Sequence, residues 1–501
     1  MTDAPLFSPV PMTPQLIEDL QRHASTRPAA LAARTVGESG SQSLSYSDIQ
    51  AHVSQLAALL RQTVAEGATV MLCVPNRPSF IATFLGILAA GNAVFPLAED
   101  SAGAELAAAG MRAGAAAAIV GPQAARHLRM LFACTQPVSE IGDPLELLTA
   151  PTWDMAAPRG AALLLQSSGT TDRPKIALRE RASLDAVCQS MVKACRFTPD
   201  DHVLAAVPLC HSYGLEHGLL APIAAGSCVH VCEKFDLPAV LGELREGGIT
   251  ILPGVPFMFD MLSRAGDAVF PTLRRAYSAG GPLPATTFDA FRNLSGLRIG
   301  QVYGATEIGS VTFNDPDSSE FDPRSVGMPM DGVDIRILDV SEPNVDAPLP
   351  PGAEGQVAIS AASMMSRYVD GENASLVGKH YLTGDLGALS TNGSLKITGR
   401  LKLFIDVGGR KVNPAEVEAV LRQHPNVGSC VVVPLQLSES VCRVKAVVTS
   451  RDPGVVLSTQ ELRAFARARL SAYKVPRVIE LRDALPMSPA GKVLRTRMGT
   501  S

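Results

Sequence analysis

The sequence predicts an α/β protein, with a mostly parallel sheet covered by helices in its first part and a separate small α+β unit over its last hundred residues. Three observations carry that expectation. Strand and helix signals alternate along the first third of the chain, as they do where helices cross over between parallel strands. The composition is 46% apolar but only 18% charged and 5% aromatic, which is a globular, aliphatic-packed chain. At 501 residues, and about 150 residues per folding unit, there is room for several such units.

The elements follow in order. In "SDIQAHVSQLAALLRQTVAEG", Val53, Leu56, Leu59, Leu60 and Val64 recur at helical spacing and mark one apolar face. "TVMLCV" reads as a buried strand, and "SFIATFLGILAAG" as a helix ended by Gly91. The alanine-rich stretch 102–118 is expected to be a surface helix or helix pair, since alanine is the best helix former. Turn formers crowd 314–325 and 341–355, two long connections flanking the strand-like "VDIRIL" in a β-rich region. Beyond Gly399 the chain starts afresh. "NPAEVEAVLRQ" is a helix with Asn413 as N-cap and Pro414 at its first position. Strands "SCVVVPL" and "CRVKAVVTS" follow, then a helix opened by Ser458 and Glu461 at capping-box spacing.

The net charge of −4 gives no overall field for nucleic acid or anionic lipid. The N-terminal stretch lacks a basic region followed by a long apolar core, and the longest apolar run, Phe80 to Ala90, falls short of the roughly 20 residues needed to span a bilayer. A cytoplasmic chain without an integral membrane segment is expected. Nine cysteines without a paired framework suggest reduced thiols. Within "SCVHVCE", Cys228, His230 and Cys232 alternate, so a strand would turn all three to one face; a metal would want further ligands, and a buried strand is the expectation.

Chemistry concentrates in five stretches. "SSGTTDRPK" offers the hydroxyls of Ser167, Ser168, Thr170 and Thr171, a close backbone approach at Gly169 and the charge of Lys175. Successive N–H groups in such a turn can cradle an anion, although alone the stretch is also an ordinary polar turn and lacks Walker spacing. "QVYGATEIG" sets Tyr303 beside Gly304, with Thr306 and Glu307 adjacent; the ring suits a planar base, and the carboxylate suits Mg2+. "YLTGDLG" presents Asp385 after a tight Thr-Gly turn, suited to accept from vicinal hydroxyls. "ITGRLKLFIDVGGRK" carries Arg400, Lys402, Gly408 and Gly409, and "LPMSPAGKVLR" places Lys492 near the end.

Taken in this order, the stretches resemble the acyl-adenylate-forming superfamily over roughly residues 15 to 495. The resemblance implies a large N-terminal AMP-binding domain of layered sheets and helices, residues 1–399, and a small mobile α+β C-terminal domain, residues 400–501. It implies an ATP-dependent acid–thiol ligase that forms an acyl-AMP and passes it to the pantetheine thiol of coenzyme A. Ser167 to Lys175 would handle the ATP phosphates, Gly280, Gly281 and Pro282 would line the adenine site, and Tyr303 would stack on the base. Thr306 would touch the α-phosphate, Glu307 would bind Mg2+, Asp385 and Arg400 would hold the ribose, and Lys492 would be the catalytic lysine. Lys402 would occupy the hinge, while Gly408 and Gly409 would line the thiol channel. The phosphate loop departs from the family's S-G-T-T-G-x-P-K-G at Asp172 and Ile176, and Leu403 stands where many members carry an acid.

The acid itself is narrowed by "VPLCHSYGLEHG", which resembles the segment lining the acyl pocket. His211 stands there in place of the aspartate that pairs with an amino acid's ammonium, which argues against an amino-acid substrate. With Phe257, Ala279 and Gly309 as further pocket positions, an aryl or medium-chain fatty acid is favoured. Arg410, Lys411, Arg443 and Lys445 would meet a nucleotide phosphate, meet an acidic carrier helix, or form a solvated face. Two alternatives to the CoA ligase stay open: a ligase that loads an acyl carrier protein, and a non-catalytic binding protein of this fold. Oligomeric state is not legible.

Overall fold

The computed structural model describes residues 14–37, 42–138, 142–152, 160–167, 175–246, 248–266, 269–369, 371, 376–401, 405–407, 410–412, 414–438, 441–452, 454–470, 474–487, 493 and 498. The chain divides into two compact units, Met1–Asp334 with Ile359–Leu376, and Ile335–Ala358 with Val377–Ser501.

The first unit holds two large sheets. In one, eight strands run in the order Arg367–Tyr368, Ile176–Arg179, Leu163–Gln166, Ala93–Pro96, Thr69–Cys73, Ala115–Val120, Glu146–Pro151, Phe132–Pro137. Its centre is parallel, with Thr69–Cys73 between Ala93–Pro96 and Ala115–Val120. The helix Tyr46–Thr63 begins at a capping box in which Ser45 and Asp48 satisfy each other's backbone N–H groups. Its face of Val53, Leu56 and Leu60 is buried, as the spacing predicts, and it packs on the helix Pro78–Ala89. That second helix is apolar nearly all round and buried from Pro78 to Leu88. Such a helix belongs inside a large core. Gly91 follows with φ +87°, the left-handed stop that only glycine adopts freely. Among the described residues no helix is long and apolar enough to cross a membrane.

The alanine-rich stretch departs from its expectation. Gly103–Arg112 is helical, but Ala115–Val120 is a buried strand paired on both sides. Alanine's helix preference amounts to a few tenths of a kcal/mol per residue, and a central slot in a sheet outweighs it.

The other sheet has nine strands, and its parallel stretch runs Leu31–Thr35, Cys228–Val231, His202–Ala205, Ile251–Gly254, Arg275–Ser278, Ile299–Ala305. Gly309–Asn314 then returns antiparallel to Ile299–Ala305. All six parallel strands point their C-terminal ends the same way, which is the edge where open α/β sheets gather ligands.

Asp334–Leu338, Gly355–Ser360, His380–Leu389 and Leu376–Val377, most of whose residues belong to the second unit, form one sheet, with Leu395–Arg400 paired to His380–Leu389. Farther along, Val427–Ser438 and Val441–Ser450 are antiparallel, and Val478–Leu481 joins the latter in parallel. Helices Pro414–Arg422 and Thr459–Arg467 cover them through Val417, Leu421, Leu462 and Ala466. Pro414 opens its helix as expected; Asn413 lies outside the described residues. Ser458 caps the later helix by accepting from the Glu461 N–H at 3.3 Å.

Candidate active site

The phosphate-loop stretch begins and ends on two paired strands. Strands Leu163–Gln166 and Ile176–Arg179 pair antiparallel up to Gln166 and Ile176. Just beyond, the Ser167 N–H donates to the Lys175 carbonyl at 2.7 Å and the Ser167 hydroxyl accepts from the Lys175 N–H at 3.2 Å. The neck is thereby closed at both strands. Ser168, Gly169, Thr170, Thr171 and Asp172 lie outside the described residues.

From the neck, Lys175 projects its ammonium over the Tyr368 ring, 4.6 Å from the centroid. Tyr368 sits on the edge strand Arg367–Tyr368 beside Ile176–Arg179, and its hydroxyl donates to Glu307 Oε1 at 2.9 Å. One aromatic residue thus holds a cation at its face and an acid at its rim.

Thr306 and Glu307 lie in the turn between Ile299–Ala305 and Gly309–Asn314. A bulge at Tyr303/Gly304 tightens that hairpin, and a Cβ added to Gly304 would lie 2.3 Å from the Gly309 carbonyl oxygen. Glycine is required there by close approach. The turn is anchored from beneath. Arg179, fully buried, donates to the Thr306 carbonyl at 2.8 Å and pairs with Glu216 at 2.7 Å. Glu216 in turn accepts from the N–H and hydroxyl of Ser310, at 2.9 and 2.7 Å. The Glu307 carbonyl accepts from the Met365 N–H at 2.8 Å. Both shoulders of the turn are therefore tied to one buried ion pair.

Burial pushes the Glu216 carboxyl up, but Arg179 and the Ser310 hydroxyl outweigh it, so its pKa is lowered and it stays ionised. For its neighbour His217 burial outweighs the pull of the Glu216 carboxylate and lowers the imidazole to about 4. It is neutral at pH 7, with Nδ1 bonded to the Tyr277 hydroxyl and Nε2 to the Ser310 hydroxyl, each at 3.0 Å. Glu216 and His217 fall in a π-helical turn, Glu216–Leu220, that continues the short helix Ser212–Leu215. Such turns recur at functional sites. Gly309, φ +73°, covers the pair: a Cβ there would meet Arg179 at 3.3 Å and Glu216 at 3.4 Å.

The remaining candidates are placed as follows. Gly280, Gly281 and Pro282 are exposed just past the C-terminal end of Arg275–Ser278, after a buried Ala279. Tyr303 is half-buried on Ile299–Ala305. His211 is exposed at the N-cap of Ser212–Leu215, and Phe257 is half-buried edge-on to Phe235. Met258 and Phe259, its neighbours, are core. In the second unit, Asp385 is cross-strand from Arg400 and accepts from its Nε at 2.6 Å. Asp385 lies within the strand His380–Leu389 and not after a turn; Gly384, φ +73°, kinks that strand, and Thr383 Oγ1 accepts from the Asp385 N–H at 3.0 Å. Lys402, Gly408, Gly409 and Lys492 lie outside the described residues. Lys445 corrects the expectation of a solvated or ligand-facing group: it is 2% exposed and paired with Glu480 at 2.8 Å.

Four members of this constellation escape a reading of the sequence: Arg179, Glu216, His217 and Tyr368. Arg179 ends an apolar strand, where a charge is an anomaly that could have flagged it. Nothing local marks Tyr368.

The model of the AMP-binding enzyme family matches residues 20–369, and that of the AMP-binding enzyme C-terminal domain matches 416–492. Feruloyl-CoA synthase of an Amycolatopsis species is 30% identical over 493 residues, covering 95% of this chain and 96% of that one. 4-Coumarate–CoA ligase 3 of Oryza sativa subsp. japonica is 28% identical, with 95% and 91% covered. In structure, the chain is similar to o-succinylbenzoate coenzyme A synthetase of Bacillus subtilis in complex with ATP and magnesium ion, with a TM-score of 0.79 at 24% identity over 96% of this chain and 98% of that one. The chain belongs to the AMP-binding, adenylate-forming enzyme family and is an acid–thiol ligase of the AMP-forming type.

Proposed function

We propose that the chain activates an aryl or medium-chain carboxylic acid with ATP and transfers the acyl group to coenzyme A. The acid's carboxylate oxygen attacks the α-phosphorus, the bond to pyrophosphate breaks, and acyl-AMP forms. The thiol sulfur then attacks the acyl carbonyl, loses its proton, and AMP departs. The observation that carries this reading is the chain of contacts from Lys175 through Tyr368 to Glu307. It sets the base of the phosphate hairpin and an acid of the Thr306–Glu307 turn around one ring, as a polyphosphate with its counter-ion requires.

Glu307 fits Mg2+. Among the described residues its Oε1 takes one neutral hydroxyl and no ion pair, which leaves carboxylate oxygen for a hard ion that prefers to share ligands with substrate phosphates. When bound, that ion supplies charge against the phosphoryl oxygens. Within the chain, Ser167 and Lys175 pair at the base of the segment that receives the phosphates, the segment to which Ser168, Gly169, Thr170 and Thr171 belong. Tyr303 stacks on adenine beside Gly280, Gly281 and Pro282; Asp385 and Arg400 take the ribose. Lys492 brings positive charge to the adenylation step, where negative charge accumulates. A division at 399/400, with a hinge at Lys402, lets that lysine withdraw before a thiol enters past Gly408 and Gly409.

An aryl acid is supported by the names of the feruloyl and 4-coumarate relatives and by the Phe257–Phe235 edge contact. The test is acid-dependent exchange of pyrophosphate into ATP over a panel of aryl, fatty and amino acids, followed by thioester detection with CoA. Exchange confined to aryl and medium-chain acids, with CoA thioester formed, is expected; exchange with amino acids alone overturns the substrate class. Exchange without CoA thioester favours a carrier-protein acceptor, and no exchange favours a binding protein. Lys492→Ala should slow adenylation by about 10²- to 10³-fold while sparing thioester formation from preformed acyl-AMP. Equal loss in both steps removes Lys492 from the role.

A further inference from the structure

On two adjacent interior strands of the nine-stranded sheet, three metal-ligating side chains converge. His202 is the first residue of His202–Ala205 and Cys228 the first of Cys228–Val231, and the two are register partners in adjacent parallel strands. His230, two residues on, faces the same side. Nitrogen and sulfur atoms of the three lie within 4.8 Å of one another. Cys228 and His230 are each 4% exposed, and His202 is half-buried. Strand starts place this cluster away from the Thr306–Glu307 turn, which follows the C-terminal end of Ile299–Ala305 in the same sheet.

His230 is held in an unusual bind. Its Nε2 lies 2.9 Å from His202 Nδ1. Its Nδ1 lies 3.1 Å from Glu243 Oε2, which only accepts, and 3.1 Å from Arg34 Nε, which only donates. Whichever tautomer it adopts, one of those two contacts is mismatched. Arg34 and Glu243 also pair directly with each other.

We propose that His202, Cys228 and His230 bind a zinc(II) ion. Two imidazoles and a thiolate are a zinc donor set, with bonds of about 2.0–2.1 Å to nitrogen and 2.3 Å to sulfur. Binding deprotonates Cys228 Sγ and releases one proton. His230 Nε2 becomes a metal ligand, so its proton resides on Nδ1 and is donated to Glu243, the carboxylate–histidine–metal relay that fixes a ligand ring. Arg34 keeps its pairing with Glu243, and its Nε contact to His230 Nδ1, now facing an N–H, is the one that opens. Two nitrogens 2.9 Å apart are closer than tetrahedral ligands and must part by a few tenths of an ångström, while the sulfur closes in. Water completes the coordination.

The test uses cobalt(II) as a spectroscopic probe, added to the full chain stripped of metal, with zinc as competitor. One equivalent of cobalt should give a sulfur-to-metal charge-transfer band with tetrahedral d–d absorption, and zinc should abolish both. Cys228→Ser should lose the charge-transfer band, whereas Cys134→Ser should keep it. Glu243→Gln, which keeps all three ligands, should weaken zinc binding by about 10- to 100-fold. No charge-transfer band in the unmodified chain overturns the proposal without recourse to any variant, as does a band that survives in folded Cys228→Ser. Lys492→Ala, impaired in adenylation, should give the unmodified spectrum, so this outcome is independent of the ligase reading.

Discussion

Arg179 and Glu216 show how much one residue pair can decide. A buried ion pair is weak evidence for stability, because both charges forfeit water, yet breaking one side strands the other. Arg179→Met should therefore destabilise the chain by about 3–5 kcal/mol, and Arg179→Met with Glu216→Leu should recover most of that loss. Denaturant unfolding of the two single variants and the double variant checks the cycle. Because Arg179 also holds the Thr306 carbonyl, the double variant should remain at least about tenfold slow in pyrophosphate exchange although restored in stability. Full activity in the double variant would make the pair mere filling. At this scale Ser167, Lys175, Thr306 and Glu307 are legible in the sequence, because their residue types already suit phosphate and metal. Arg179 and Glu216 are not, since their meaning lies in a partner 37 positions away.

Element identity was legible wherever one periodicity acted alone. The helix Tyr46–Thr63 follows its apolar periodicity, whereas the strand Thr69–Cys73 and the helix Pro78–Ala89, buried on all sides, were told apart by length and by the Gly91 stop. Periodicity failed where composition was uniform: four consecutive alanines carry no face, and whether they form helix or strand depends on the neighbours available. A matched pair of substitutions separates the two halves of that stretch. Ala108→Lys, on the exposed side of Gly103–Arg112, should leave the melting temperature nearly unchanged. Ala118→Lys, fully buried between Met71 and Leu148, should prevent stable folding. Similar melting temperatures for both would contradict the strand. Asp385 teaches the same lesson, because a Thr-Gly-Asp triplet that reads as a turn lies inside a ten-residue strand whose partner, Leu395–Arg400, overrides the local preference.

For the molecule as a whole, buried histidines set the acid limb of stability. His52 and His217 are lowered to about 4 by burial, so each is neutral when folded and protonates near 6.5 when unfolded. Below pH 6.5 the unfolded chain takes up protons that the folded chain does not. Stability should accordingly fall by about 2 kcal/mol per histidine between pH 7 and 5. Glu216, with its lowered pKa, adds a further loss only at more acid pH, below the usual glutamate value. Urea unfolding at pH 7 and 5 measures the slope, and His217→Asn should flatten its share. A slope unchanged in that variant would assign the titration elsewhere.

Residue types and their order along the chain were enough to imply an adenylate-forming ligase, a parallel α/β core and a small terminal α+β unit, because phosphate, metal and helix-crossover chemistry each impose local patterns. The net charge of −4 gave no overall field that would gather nucleic acid. What holds the Thr306–Glu307 turn, which histidine is buried, and which thiol meets two imidazoles were settled by folding. Those outcomes depend on side chains that are distant along the chain meeting in a medium too dry to leave a charge or a donor unpaired. No local pattern records such meetings.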